Sequence, residues 1–189
     1  MMRDLFDTTT RPLYGQAEPV RLAPLADADV AAYVEERFQA TGRSAGDVLA
    51  ALLAFAHGHP QRSMLLAYRL WEKTPPGATA DDEAWLRALA RTRIQTAAEL
   101  EARWKGLDTN EQRALRAIAL FPQAPYGAGA LAAVGLEKSS ANYATRTLVA
   151  RAELEDRQKR LAFVDPLFEV WVRDAQSGEL SFEVPEDEP

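Results

Sequence analysis

The sequence predicts a mainly α fold, and three observations carry that prediction. Apolar residues recur at helical spacing along most of the chain from Ala26 to Arg173. Capping residues and Gly or Pro breakers separate those stretches. One short segment, Glu153 to Val164, reads instead as two strands around a polar turn.

The first residues, Met1 to Phe6, read as the end of a short amphipathic helix, broken at Arg11-Pro12 because proline disfavours helix at the preceding residue. Pro19-Val20-Arg21-Leu22 alternates apolar and polar residues as a single strand would, and its partners would have to lie upstream. From Ala26 the chain turns helical, with a stripe of Val30, Tyr33, Val34 and Phe38 closed by Thr41-Gly42. A second helix, about Ala45 to Ala56, carries Val48, Leu49, Leu52, Leu53 and Phe55. A third starts at Pro60, carries Leu66, Ala67, Leu70 and Trp71, and stops at Thr74-Pro75-Pro76-Gly77. Between the second and third lies His57-Gly58-His59-Pro60-Gln61-Arg62. As punctuation, Gly58 follows a helix end, His59 caps the next helix and Pro60 takes its first position. As a hinge, the same residues would face a ligand. A long helix, about Asp81 to Lys105, has acids first and bases last, which suits its dipole. Its stripe is Trp85, Leu89, Ile94, Ala98 and Leu100, and its arginines read as a solvated face.

The next segment opens with Thr109-Asn110-Glu111-Gln112, a capping-box pattern ahead of Leu115, Ile118, Ala119 and Leu120. A small-residue helix runs from Gly127 to Val134 and ends at Gly135. Ser139 or Ser140 would cap a third helix with Tyr143, Thr147, Leu148 and Ala152 on its inner face. The hairpin follows, turning at Asp156 to Lys159. Asp165 then caps a last helix with Pro166 at its first position, carrying Leu167, Phe168, Val170 and Trp171. Three helices and then a hairpin is the element order of a winged helix-turn-helix.

Bulk properties exclude several classes of function. At 189 residues, 47% hydrophobic and 26% charged, the chain is that of a globular protein of one or two domains. It has no apolar run of membrane-spanning length, and its N-terminus lacks a signal-peptide core, so no membrane partner and a cytoplasmic location are expected. Without cysteine there is no disulfide framework, thiolate nucleophile or cysteine metal site. Two histidines without a carboxylate cluster do not make a zinc site. The net charge of −6 sits at the end, where Asp174 to Pro189 holds six acids and no base, leaving 22 of each sign elsewhere. Residues 175–189 are therefore expected to form an acidic, disordered tail. Ser-His and paired-carboxylate hydrolase sites can be drawn, but nothing in the sequence places their members together.

Taken together, these residues resemble the C-terminal region of AAA+/STAND-type P-loop ATPases of the archaeal-ATPase and origin-recognition kind, in which an α/β core is followed by a helical lid and a winged helix. Leu5-Phe6 through Arg11-Pro12-Leu13-Tyr14-Gly15 is similar to the segment after the sensor-1 strand. Val20-Arg21-Leu22-Ala23-Pro24-Leu25 is similar to the last core strand, and Gly58-His59-Pro60 to the Gly-x-Pro lid motif. Leu161 to Arg173, with Asp165-Pro166-Leu167-Phe168 at its centre, is similar to the wing strand and closing helix and is the most specific of the four.

The resemblance implies residues 1–25 as the end of an ATPase core, 26–76 as the lid, 77–107 as a connecting helix and 108–174 as the winged helix. It implies a nucleotide site at Gly58, His59 and Pro60, with Arg62 as a sensor-2 arginine toward the γ-phosphate and Arg11 as an arginine finger. ATP or ADP with magnesium would be the cofactor of the parent ATPase. No G-x-x-x-x-G-K-[ST] loop and no acidic strand end for a Walker B occur, so this chain alone is expected to have no ATPase activity and to need an ATPase core as partner. Three functions stay open. The chain couples nucleotide state to DNA or protein binding as part of such an ATPase; it is a stand-alone winged-helix regulator of double-stranded DNA; or it is a helical protein-interaction module. For DNA the candidates are Asn142, Thr145, Arg146 and Arg151 on the recognition helix, with Arg157, Lys159 and Arg160 on the hairpin. From Lys138 to Arg160 six bases face three acids, less clustering than strong binders show.

Overall fold

The computed structural model describes residues 23–157 and 160–177. The expected N-terminal strand, Arg11, Lys159 and residues 178–189 of the expected tail lie outside the described residues, whereas residues 175–177, expected to begin that tail, end the last helix (Pro166–Ser177).

The first group of helices is α1 (Asp27–Gln39), α2 (Val48–Ala56), α3 (Pro60–Lys73) and α4 (Asp82–Lys105). Helix α1 buries Val30, Val34 and Phe38 at every fourth position. Tyr33, expected on that stripe, is largely exposed at its edge. Helix α2 begins three residues later than its apolar pattern predicts. Gly46 takes a left-handed φ of +55°, and Ser44 pairs with Thr79 in a parallel bridge, so tertiary pairing holds this stretch out of the helix. Helix α3 ends at Thr74, extended ahead of Pro75-Pro76 as the sequence requires.

Helix α4 is capped by Asp81, whose carboxylate accepts from the Ala84 N–H at 2.8 Å. Its buried stripe is Ala84, Ala88, Thr92, Thr96 and Leu100, sharing Leu100 with the predicted one; Trp85, Leu89 and Ile94 are half-buried and Ala98 is exposed. Steps of four small side chains let α3 lie close along α4, its most extensive neighbour. The hydroxyls of Thr92 and Thr96 donate back to the carbonyls of Ala88 and Thr92, so they are satisfied in that dry contact.

The second group is α5 (Thr109–Leu120), α6 (Ala128–Val134), α7 (Lys138–Ala150), the strands β1 (Leu154–Arg157) and β2 (Arg160–Phe163), and α8 (Pro166–Ser177). The capping box of α5 lies one residue earlier than predicted. Asp108 accepts from the Asn110 and Glu111 N–H groups, and Glu111 accepts from the Asp108 N–H at 2.9 Å. Helix α7 starts after Glu137, which makes no side-chain cap, so neither Ser139 nor Ser140 is the cap. Its inner face is Ala141, Ala144 and Leu148, a rotation that leaves Tyr143 74% exposed. The strands pair antiparallel with Leu154 opposite Phe163 and Arg157 opposite Arg160. Mainly helical architecture with one small two-stranded sheet is thus the fold of the described residues.

Two apolar cores organise these elements. One gathers Val34, Phe38, Leu52, Leu66 and Leu70 with the first half of α4. The other gathers Leu100, Leu115, Ile118, Leu148, Phe163 and Phe168. Phe55 and Leu89 pack against both, and α4 runs from the first core into the second. No helix of the described residues is long and apolar enough to cross a membrane.

Candidate functional site

The turn between α2 and α3 is built from two consecutive left-handed residues, His57 (φ 48°) and Gly58 (φ 71°). The His57 N–H donates to Leu53 O and the His59 N–H to Ala56 O, which closes α2. Gly58 admits no side chain, because a Cβ there would stand 2.3 Å from the Leu25 carbonyl oxygen. Its own carbonyl accepts from the Leu25 N–H at 2.9 Å, lacing the turn to the chain ahead of α1. His59 caps α3 through Nδ1, which accepts from the Arg62 N–H at 3.3 Å. That bond places the imidazole proton on Nε2. Burial lowers the His59 pKa below its ordinary value, against the opposing pull of Asp165 and with the aid of the Arg62 and Arg103 charges.

The cap aims Arg62 inward from the first turn of α3. Its side chain is 1% exposed and reaches the start of α8, 103 residues away in sequence. Arg62 Nε donates to both oxygens of Asp165 at 3.1 and 3.2 Å, and Nη2 donates to Asp165 Oδ2 at 2.7 Å and Glu99 Oε1 at 2.9 Å. Asp165 also accepts from Arg103 Nη1 at 3.1 Å and from the Leu167 N–H at 3.0 Å, so the carboxylate that binds Arg62 also caps α8. Arg103 Nε extends the chain of charges to Glu153 at 2.6 Å, and its guanidinium lies 4.5 Å over the Phe168 ring. Burial alone would push the Asp165 carboxyl up. The Arg62 hydrogen bonds and the Arg62 and Arg103 charges outweigh it and hold the carboxyl below its usual range. Burial likewise opposes the Arg62 charge, but Asp165 and Glu99 hold its pKa above the ordinary value. Among the buried side-chain atoms of the described residues, Arg62 Nη1 and the hydroxyl of Ser63 have no hydrogen-bond partner.

Chemically this is a fastening. Two guanidiniums meet three carboxylates, and burial disfavours a charge on the neighbouring His59. The sequence reading turns Arg62 toward a phosphate. In this structure its Nε and Nη2 face carboxylates instead, because Asp165, itself desolvated at a helix start, is its strongest local partner. Pro60 stays exposed at the first position of α3. Glu99, Arg103 and Glu153 carry no sequence signal for this role. Arg103 belongs to the arginines read as a solvated face, which holds for Arg87 and Arg91 but not for it.

The candidate DNA residues divide into two sets. Asn142 and Arg146 share the exposed face of α7 with Tyr143. Thr145 is half-buried, its hydroxyl donating to Ala141 O and sharing a 2.5 Å hydrogen bond with Tyr126. Arg151 pairs with buried Glu111 at 3.0 Å, and Arg157 pairs with Glu155 on its own strand. Arg157 and Arg160 line a cleft of about 320 Å³ beside Phe163 and Glu169. No group of three His, Cys, Asp or Glu among the described residues is arranged to hold a metal ion.

Set beside known proteins, the chain matches no family model, no curated protein and no solved structure. Any functional reading therefore rests on its own residues and geometry.

Proposed function

We propose that this chain is the lid and winged-helix region of an AAA+/STAND-type P-loop ATPase, transmitting the state of a bound nucleotide to the α5–α8 unit. One observation carries the reading: Arg62 joins the Gly58-His59-Pro60 turn to Asp165 at the start of α8. A turn that shifts against adenine would pull α8 with it, because the fastening is short, bidentate and buried. The nucleotide, its magnesium and the phosphate-binding loop would come from an ATPase core. Pro60 would pack on the base, and Arg62 would keep α8 in register. This keeps the site where the family resemblance puts it but gives Arg62 a positioning task.

The test joins the chain to its P-loop core and compares ATP affinity and turnover in Pro60→Ala and Arg62→Gln. Weakened nucleotide affinity in the first and altered turnover in the second are expected; wild-type values in both would remove the turn from the nucleotide site.

A second reading, duplex DNA as the partner of the α5–α8 unit, is favoured by the exposed Asn142, Tyr143 and Arg146 on one face of α7. An aromatic ring exposed beside a guanidinium and an amide suits a groove better than bulk water. Salt-dependent binding of mixed-sequence duplex, lost in Arg146→Ala, is the expected result.

A further inference from the structure

The cleft that Arg157 and Arg160 share lies between the hairpin, the end of α5 and the first turn of α8. All four residues of β2, Arg160 to Phe163, line it together with Ile118, Pro122 and Glu169. Successive side chains of a strand point to opposite faces, so a cleft touched by four in a row runs along the strand's edge. Among the described residues β2 pairs with β1 alone, which leaves that edge open. The Val164 N–H donates to Glu153 O, which makes Leu154 and Phe163 a non-hydrogen-bonded pair. By alternation, Leu161 and Phe163 turn their backbone N–H and C=O groups away from β1, where a third strand would meet them.

The walls of the cleft are apolar at Ile118, Pro122, Leu161 and Phe163. Of its charges, Arg157 is answered by Glu155 and Glu169 by Arg173, whereas the exposed Arg160 forms no ion pair among the described residues. An occupant that fits is an extended segment with apolar residues on one face and an acid on the other. The sequence beyond α8 contains one: Leu180-Ser181-Phe182-Glu183-Val184 alternates strictly, inside a stretch from Gly178 to Pro189 with five acids and no base.

We propose that Leu180 to Val184 docks in this cleft as a third strand on the open edge of β2. Leu180, Phe182 and Val184 extend the face of Leu161 and Phe163 over Ile118 and Pro122, and Glu183 then falls on the face that carries Arg160. The reach is sufficient. Eight residues of α8 separate Glu169 from Ser177, a rise of about 12 Å. Gly178, the residue type that lets a chain reverse at a helix end, through Phe182 spans up to about 17 Å when extended. Because the segment is tethered beside the cleft, its effective concentration favours it over a strand from another molecule.

The experiment is NMR on the isotope-labelled chain. Nuclear Overhauser contacts between the Phe182 ring and the methyls of Ile118 and Leu161 are expected, unchanged on dilution and absent between labelled and unlabelled copies. Exchange of the Leu161 amide is expected to quicken about tenfold or more in Phe182→Asp, roughly the protection of one hydrogen bond, with circular dichroism unchanged. Arg160→Glu is expected to quicken it less, and Glu183→Lys in the same chain to restore part of that loss. No contact from Phe182 or Val184 to the cleft, or equal Leu161 exchange in Phe182→Asp, overturns the proposal. Contacts seen only between copies overturn it too, because a second chain is then the occupant.

Discussion

Replacing Asp165 with asparagine keeps the side-chain volume and a good helix cap while removing one charge from a buried pair. Arg62 would then face only Glu99, whose side chain is 54% exposed and so offers little. Stranding one partner of a buried ion pair costs about 3–5 kcal/mol, and the remaining Glu99 contact puts the expected loss near the lower end, about 3 kcal/mol. For a chain of this size that lowers Tm by about 6–12 °C. Arg62→Met is expected to cost less, about 2 kcal/mol, because Asp165 would keep Arg103 and the Leu167 N–H while the partnerless Nη1 disappears. The double variant strands no charge, so its loss falls short of the sum by at least about 1 kcal/mol. Urea unfolding at pH 7 followed by circular dichroism gives all three values. Additivity within about 0.5 kcal/mol would show that the two residues do not act as one unit, and the coupling argument would fall with it.

Three further outcomes are expected. Gly58→Ala would lose at least about 2 kcal/mol, since alanine is strained at positive φ and its Cβ would collide with the Leu25 carbonyl; thermal melting checks this, and a loss under about 0.5 kcal/mol would contradict the turn geometry. The pKa shifts at His59 and Asp165 both make stability fall toward acid. Above about pH 6.5 His59 is neutral folded or unfolded and contributes nothing. As pH drops below that value, the unfolded chain takes up a proton that folded His59 resists. Near pH 4 and below, unfolded Asp165 becomes protonated while the folded carboxylate resists, and its contribution is lost as pH passes its depressed folded pKa. Unfolding free energy measured from pH 8 to 3 should therefore decline in two stages, with the first absent in His59→Asn. Tyr143→Ala should leave stability within about 0.5 kcal/mol, given its exposure, while weakening any duplex binding measured by fluorescence anisotropy.

What the sequence disclosed follows the range of the interactions. His59 capping α3, Pro60 opening it, Asp165 capping α8 and Gly135 closing α6 depend on residues within one turn of each other, and each is legible. The start of α2 was not, because the pairing of Ser44 with Thr79 competes with local helix propensity from 35 residues away. The face of α7 was legible only at Leu148, because the small Ala141 and Ala144, not Tyr143, are buried beside it. The stripe of α4 hid for the same reason: close helix packing selects Ala84, Ala88, Thr92 and Thr96, which carry little hydrophobic signal. Arg62 was singled out for its charge and its place after Pro60. Its partners Glu99 and Asp165 lie 37 and 103 residues on, and no spacing rule connects them.

Hydrogen exchange on the chain joined to a P-loop core, with and without ATP, tests the central claim most directly. ATP is expected to slow exchange at the Gly58–Arg62 turn and at the start of α8 together, with Asp165→Asn confining the effect to the turn. Exchange unchanged by ATP at both places, or a response at the turn that never reaches α8 in the unaltered chain, would contradict it.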